Sequence, residues 1–197
     1  MAQFRYAGLM PAYDYDRGGS DPSFAFLFLH GLGSVRSGEK ATLLRRRASE
    51  LGVSFLAFDA RGHGETGGPF RNFTVSSYLE DAVGMLEEPL AGVDRVVVVG
   101  SSLGGLVALH LAARRPDRTR GVVAIAPALR IGQRWLAALG QGEAEAWRKR
   151  GYLRVRNEWM DLEVGIAFLD DALLFRTEEL DEQLRVPALI IHGAQDA

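Results

Sequence analysis

Residues 96–105 read Val-Val-Val-Val-Gly-Ser-Ser-Leu-Gly-Gly, an apolar run that breaks directly into G-x-S-x-G with Ser102 at its centre. A serine at that spacing can attack an acyl carbon if its hydroxyl stands exposed at the tip of a sharp strand-to-helix turn. Gly100 and Gly104 omit the side chains that would collide in such a turn. The helix expected over 103–114 aims its N-terminus, with free backbone N–H groups, at the place where negative charge develops during acyl transfer. G-x-S-x-G also recurs by chance in glycine-rich loops, but four preceding valines and a following helix supply the context that chance matches lack. The bland alternative is a glycine-rich turn with no chemistry.

The elements that must position Ser102 are legible as alternating runs. Segments 24–29, 54–58, 95–99, 121–125 and 188–191 have strand length and are mostly apolar on both faces, as buried parallel strands are. Between the first four, 40–51, 75–90 and 103–114 carry apolar residues at helical spacing, with Thr74 or Ser76 as a cap for the second. This succession predicts an α/β fold: a mainly parallel sheet, right-handed crossovers and helices on both faces. Segment 4–15 adds one or two antiparallel edge strands. Residues 127–186 are mostly helical in pattern and hold Trp135, Trp147 and Trp159. They read as a helical cap inserted over the carboxyl edge of the sheet, between a core at 1–126 and its continuation at 187–197.

Ligands of open parallel sheets bind beyond the carboxyl ends of the strands. Those ends here are His30-Gly31-Leu32-Gly33-Ser34, then Asp59-Ala60-Arg61-Gly62-His63-Gly64, then the Ser102 turn, and last His192-Gly193-Ala194-Gln195-Asp196. The backbone N–H groups of Leu32 and Leu103 form a natural pair of oxyanion donors, with His30, Gly31, Gly100 and Gly104 supporting the turns.

Composition narrows the chemistry. The chain has 197 residues, 47% of them hydrophobic, with a net charge of −2 and a mean hydropathy of −0.02, which suits one globular domain and gives no argument for a nucleic-acid partner. With no cysteine there is no disulfide, thiolate metal site or cysteine nucleophile. No segment reaches the length of a membrane span, and no basic segment at the N-terminus leads into a long apolar one, so the expected location is cytoplasmic. The clusters Arg45-Arg46-Arg47 and Arg148-Lys149-Arg150 are expected on solvated helix faces.

Four motifs in fixed order, H-G-x-G at His30, F-D-x-R-G-H-G at Phe58, G-x-S-x-G at Gly100 and H-G-x-x-D at His192, together resemble the α/β-hydrolase superfamily over nearly the whole chain. The resemblance implies Ser102 as nucleophile, Leu32 and Leu103 as oxyanion donors, Asp196 as triad acid and 127–186 as the variable cap. Gly-Ser-Ser-Leu-Gly-Gly looks most like small carboxylesterases and acyl-protein thioesterases. Members of the superfamily that act as epoxide hydrolases or haloalkane dehalogenases place aspartate where Ser102 stands. The expected substrate is a small ester or thioester, with neither cofactor nor metal.

One departure is informative. The superfamily order puts the triad histidine after the acid, and only Ala197 follows Asp196. His30, His63 and His192 belong to turns, and His110 lies two helical turns beyond Ser102. A final strand and helix are also missing from the pattern. The expectation is a truncated chain, inactive by itself, with the histidine supplied from sequence beyond residue 197 and an exposed edge at 188–191 through which it could dimerise. The rival reading is a non-catalytic domain that binds a small ligand or a protein; a third keeps catalysis but changes the reaction, to C–C bond hydrolysis, amide cleavage or a peroxidase-type reaction. Asp59 and Arg61 are expected to pair. Glu158, Glu163, Asp170 and Asp171 are expected to be solvated rather than metal-binding, and Trp135, Trp147, Trp159, Phe168 and Phe175 either line an acyl pocket or hold the cap together.

Overall fold

The apolar runs become strands because each has residues to bury on both faces of a sheet. The computed structural model describes residues 10–157 and 160–194. Its core begins with Tyr13–Asp16 (β1), Asp21–Leu29 (β2), Glu39–Leu51 (α1), Val53–Phe58 (β3), Val75–Glu87 (α2), Arg95–Ser101 (β4), Leu103–Arg114 (α3) and Thr119–Ile125 (β5). Then follow Ile131–Arg150 (α4), Tyr152–Arg156 (β6), Asp161–Gly165 (β7), Ile166–Ala172 (α5) and Thr177–Gln183 (α6), before Ala188–Ile191 (β8) returns to the sheet. The sheet order is β1-β3-β2-β4-β5-β8, parallel except for β1, which runs antiparallel to β3. Of the expected N-terminal edge strands, Tyr13–Asp16 forms; residues 4–9 lie outside the described ones.

Strand order explains where the helices go. The chain steps from β2 to β3 in one direction and then crosses to β4 on the other side of β2. With right-handed crossovers, α1 must cover one face while α2 and α3 cover the other. Accordingly Phe28, Phe55, Ala57 and Val99 pack with Ala41 and Ala48 of α1. The intervening Leu27, Leu29, Leu56, Phe58, Val96 and Val98 join Tyr78, Leu106 and Leu111 of α2 and α3. Segments leaving β2 and β4 therefore depart to opposite faces, and a crevice opens between the two strand ends. Gly31 and Ser102 stand at that crevice.

The insertion, expected to be mostly helical, carries three helices and one element of another kind among its described residues. A β-hairpin, β6 with β7, interrupts it in the register Tyr152↔Gly165 to Arg156↔Asp161. Its pattern is only two strands of five residues, too short to stand out against the helical spacing around them. Gly140 (φ 72°) breaks the helical path within α4. Trp147 anchors the assembly, wholly buried, its indole N–H donating to the Val164 carbonyl (3.0 Å). Asp171 of α5 accepts both the N–H and the hydroxyl of Ser76 (2.8 and 2.6 Å), tying the insertion to the first turn of α2. Thr74 is the cap of α2, closing a reciprocal pair of bonds with Ser77.

β8 is an outer strand whose Leu189, Ile190 and Ile191 are 56%, 53% and 48% exposed. An apolar edge of this kind is expected to drive concentration-dependent self-association, which Ile190→Lys should lessen in sedimentation velocity. The glycine requirements are also measurable. A Cβ at Gly104 would run into the Leu29 and His30 carbonyls, whereas one at Gly84 of α2 would meet nothing within 4 Å. Gly104→Ala should cost about 3 kcal/mol or more in urea unfolding, and Gly84→Ala should add about 0.5–1 kcal/mol through helix propensity.

Candidate active site

Ser102 adopts φ 54° and ψ −118°, a left-handed conformation that costs a non-glycine residue about 1–3 kcal/mol. The surrounding structure holds it there. Its N–H donates to the Ile125 carbonyl (2.9 Å), and its own carbonyl accepts from Gly105, Leu106 and Ala128 (2.9, 3.2 and 3.0 Å). The residue is exposed, and its hydroxyl makes no cap bond to α3. Two close approaches allow this geometry: a Cβ at Gly100 would strike the Gly104 carbonyl, and one at Gly104 would strike the end of β2. The Gly31 turn reaches Ser102 itself, since a Cβ there would lie 3.4 Å from the Ser102 Cβ and 4.0 Å from its Oγ. Among the described residues, neither the Leu32 nor the Leu103 N–H has a hydrogen-bond acceptor.

The two turns beside Ser102 are fastened to each other. Ala60 N–H donates to His30 Nε2 and Gly33 N–H to His63 Nε2, each at 3.1 Å. A ring nitrogen that accepts an N–H is unprotonated, so each imidazole carries its proton at Nδ1. His30 donates it to the Gly31 carbonyl (2.8 Å) and His63 to the Arg61 carbonyl (3.1 Å). Burial drives the His30 pKa down to about 4, helped by the neighbouring His63, and also lowers that of His63. Tyr78, fully buried, donates its hydroxyl to the His30 carbonyl (3.0 Å). Both imidazoles are therefore neutral struts at pH 7.

Asp59 and Arg61 do not pair with each other. Asp59 is buried and turns toward the 31–36 loop, where it accepts the Arg36 N–H (2.7 Å) and meets the Arg36 guanidinium. Burial opposes its charge, but the Arg36 and Glu65 N–H groups and the Arg36 charge hold its carboxyl below the usual range. Arg61 turns instead to Asp81 of α2 (2.7 Å) and the Ser77 carbonyl (3.0 Å). Arg36, Tyr78 and Asp81 were the supporting residues that sequence reading missed. Only the unmet need of a buried Asp59 for a cation could have signalled one of them.

Other candidates separate. Asp196 lies outside the described residues. His192 is exposed after β8, two strands over from β4 and so about 10 Å across the sheet. His110 faces away from the crevice, with its ring edge on Phe175 (centroids 4.9 Å). Glu163 pairs with Arg71 (2.6 Å), Asp170 with Arg148 (2.8 Å) and Asp171 with Ser76. Among the described residues no group of three possible ligands could hold a metal. Trp147 and Phe168 are wholly buried in the core, with Trp135 packed against both, so these three hold the insertion together; Trp159 lies outside the described residues.

A groove of about 500 Å³ lies between the 69–71 segment and the β6–β7 hairpin, lined by Pro69, Phe70 and Leu162 with Arg71, Arg154, Asp161 and Glu163 on its rim. It meets the Ser102 neighbourhood at one loop: a Cβ at Gly33 would lie 2.8 Å from Leu162 Cδ1, and Phe70 packs on His63 (4.8 Å). The lining is mixed, and none of the described tryptophans belongs to it.

His110 gives a test of the electrostatics. Its Nε2 is buried without a partner, and burial lowers its pKa to about 4. A histidine kept neutral in the folded state contributes stability above its unfolded pKa of about 6.5, and loses it as pH falls from there toward 4. His110→Leu should stabilise the protein by about 1 kcal/mol at pH 8. Its advantage should grow on acidification, by up to about 1.4 kcal/mol per pH unit, in unfolding measured from pH 8 to pH 4.

The sequence matches the alpha/beta hydrolase family over residues 26–197. It is 31% identical over 120 residues to the rat mitochondrial palmitoyl-protein thioesterase ABHD10, a stretch covering 60% of this chain and 39% of that protein. It is 35% identical over 107 residues to epoxide hydrolase 2 of Siraitia grosvenorii, covering 53% of this chain and 32% of that one. The chain thus spans two-fifths or less of the length of these relatives. The solved structure of mouse alpha/beta hydrolase domain-containing protein 10 superposes with a TM-score of 0.81 at 24% identity, covering 97% of this chain and 76% of that one, which speaks to the fold. A match spanning nearly the whole sequence, on a parallel sheet that sets a strained serine between β4 and α3, makes this chain a member of the alpha/beta hydrolase family.

Proposed function

We propose that the chain carries the nucleophile and oxyanion site of a serine hydrolase acting on carboxylic esters or thioesters. The observation that carries this reading is Ser102: strained backbone, exposed position, and two acceptorless N–H groups in the adjoining turns. Its hydroxyl oxygen would bond to the acyl carbon as its proton passes to a histidine, while the Leu32 and Leu103 N–H groups hold the developing oxyanion. The histidine would return that proton to the departing alcohol or thiol, and water would then release the acid from Ser102. Thioesterase chemistry is named for the rat relative. Epoxide hydrolysis, named for another, fits less well because a serine occupies the nucleophile position.

The base is proposed to come from sequence beyond these 197 residues, oriented by Asp196. Both ring nitrogens of His30 and of His63 are engaged with backbone, and His110 and His192 are remote. The groove over Gly33 would take part of the substrate, its Phe70 and Leu162 suiting an apolar or aromatic group and its ion pairs a polar substituent. That none of the described histidines adjoins Ser102 with a free ring nitrogen favours, as a second reading, a domain that binds ligands without turnover.

The experiment is p-nitrophenyl butyrate hydrolysis together with fluorophosphonate labelling, on the 197-residue chain and on the chain extended by its following sequence. The extended protein should be active and labelled at Ser102, and Ser102→Ala should lower its turnover by about 10⁴-fold or more. The short chain should be nearly inactive. Robust Ser102-dependent turnover by the short chain would show that one of its four histidines is the base. Absence of both turnover and label in the extended protein would favour the binding domain.

A further inference from the structure

Leu32, one of the two N–H donors, sits between two glycines; its side chain packs on the core, Gly33 lies against Leu162 and the Gly31 carbonyl accepts from His30, but among the described residues the Leu32 N–H is tied to nothing. Gly33 has φ 70°, open to glycine but strained for other residues. The loop's own backbone makes one internal bond, Ser34 N–H to the Gly31 carbonyl (3.1 Å). Beyond it, Arg36 N–H is held by Asp59, and between the two, among the described residues, Gly33 N–H alone reaches another turn, at His63 Nε2. The imidazole is only 4% exposed and is walled by Phe70, Phe73 and His30 with ring centroids 4.8, 4.7 and 4.9 Å away. Its acceptor nitrogen is therefore aimed by packing, and the return contact from His30 to Ala60 stiffens the turn that carries it.

We propose that His63 is a positioning residue of the oxyanion site: by accepting the Gly33 N–H it holds the 31–33 loop so that the preceding Leu32 N–H can meet an acyl oxygen on Ser102. The inference rests on the serine-hydrolase reading. Misplacement of a reacting or stabilising group by about 1 Å can cost about 10²-fold in rate, so an anchor one residue from a donor has leverage.

The strut works only while Nε2 is unprotonated. The groups around it act in opposite senses. Asp59 favours a charged imidazole, but Arg36 offsets Asp59; on α2, Asp81 is paired with Arg61 and the Tyr78 hydroxyl is engaged with the His30 carbonyl. Burial prevails and keeps His63 below its ordinary pKa of 6.5. As pH falls through that lowered value, Nε2 gains a proton, two N–H groups face each other, and the loop loses its anchor.

The test follows hydrogen exchange at the Gly33 amide by NMR, alongside kcat and KM, in the extended protein. Wild-type protection of Gly33 should fall as pH drops below the ordinary histidine range. His63→Gln, which can offer an oxygen at the same position and does not titrate there, should keep protection at acid pH and keep kcat within about threefold. His63→Leu should lose Gly33 protection and about tenfold or more in kcat, with KM within about twofold. Unchanged Gly33 protection in His63→Leu overturns the proposal, as does wild-type kcat despite lost protection. Should His63→Leu fail to fold, an acid-side loss of protection that persists in His63→Gln overturns it instead. Turnover that does not require Ser102 overturns the hydrolase reading and the positioning role with it, whereas the exchange result bears on the strut alone.

Discussion

The structure depends on a backbone-to-backbone approach between the first turn of α3 and the end of β2. Gly104 lies so near the Leu29 and His30 carbonyls, and Gly100 so near the Gly104 carbonyl, that no side chain fits at either position. Because β2 and β4 are neighbours whose following segments leave to opposite faces, this is the place where two strand ends and a helix N-terminus converge. Close approach forces the chain to reverse within one residue. That residue is Ser102, and its positive φ follows from the tightness of the turn around it.

A strained residue persists only where its surroundings over-determine it. Here the restraint is distributed: the Ser102 carbonyl accepts three N–H donors, one of them from Ala128 in the loop after β5, and its N–H is held by β5 itself. The same logic extends to the turns on the other side of the crevice. His30 and His63 cross-link them as neutral acceptors, and Asp59 gathers Arg36 and Glu65 around a buried carboxylate. Burial makes these polar contacts consequential, since each partner lost would leave an unsatisfied group away from water.

The insertion contributes a different kind of surface. Its tryptophan-rich part is consumed in attaching it to α2, α3 and the core, as the burial of Trp147 and Phe168 requires. What it presents near Gly33 is the edge of a short hairpin, where Leu162 is flanked by paired charges. An apolar composition in such a segment is thus no guide to an apolar site, because the largest side chains are the ones most stabilised by leaving the surface.

Much of the core was written in local pattern. The strand-to-helix break at Val99 and Ser102, the glycines that permit it, the helix ending at Arg114 and the succession of parallel strands all follow from side-chain periodicity and steric need, which act within a few residues. The turns at His30 and Asp59 were legible as the places where chemistry could gather. Their wiring was not: Asp59 chose Arg36 over Arg61, and His63 found Gly33, thirty residues away, because adjoining strand ends bring those loops together across the sheet. The hairpin at 152–165 escaped notice for a related reason, since five-residue strands are stabilised by each other and by the Arg71 segment they cover, not by their own sequence pattern. Local sequence determined which elements exist and where the strained serine stands; contacts between chain-distant loops, set by strand order and burial, decided which residues brace the turns around it.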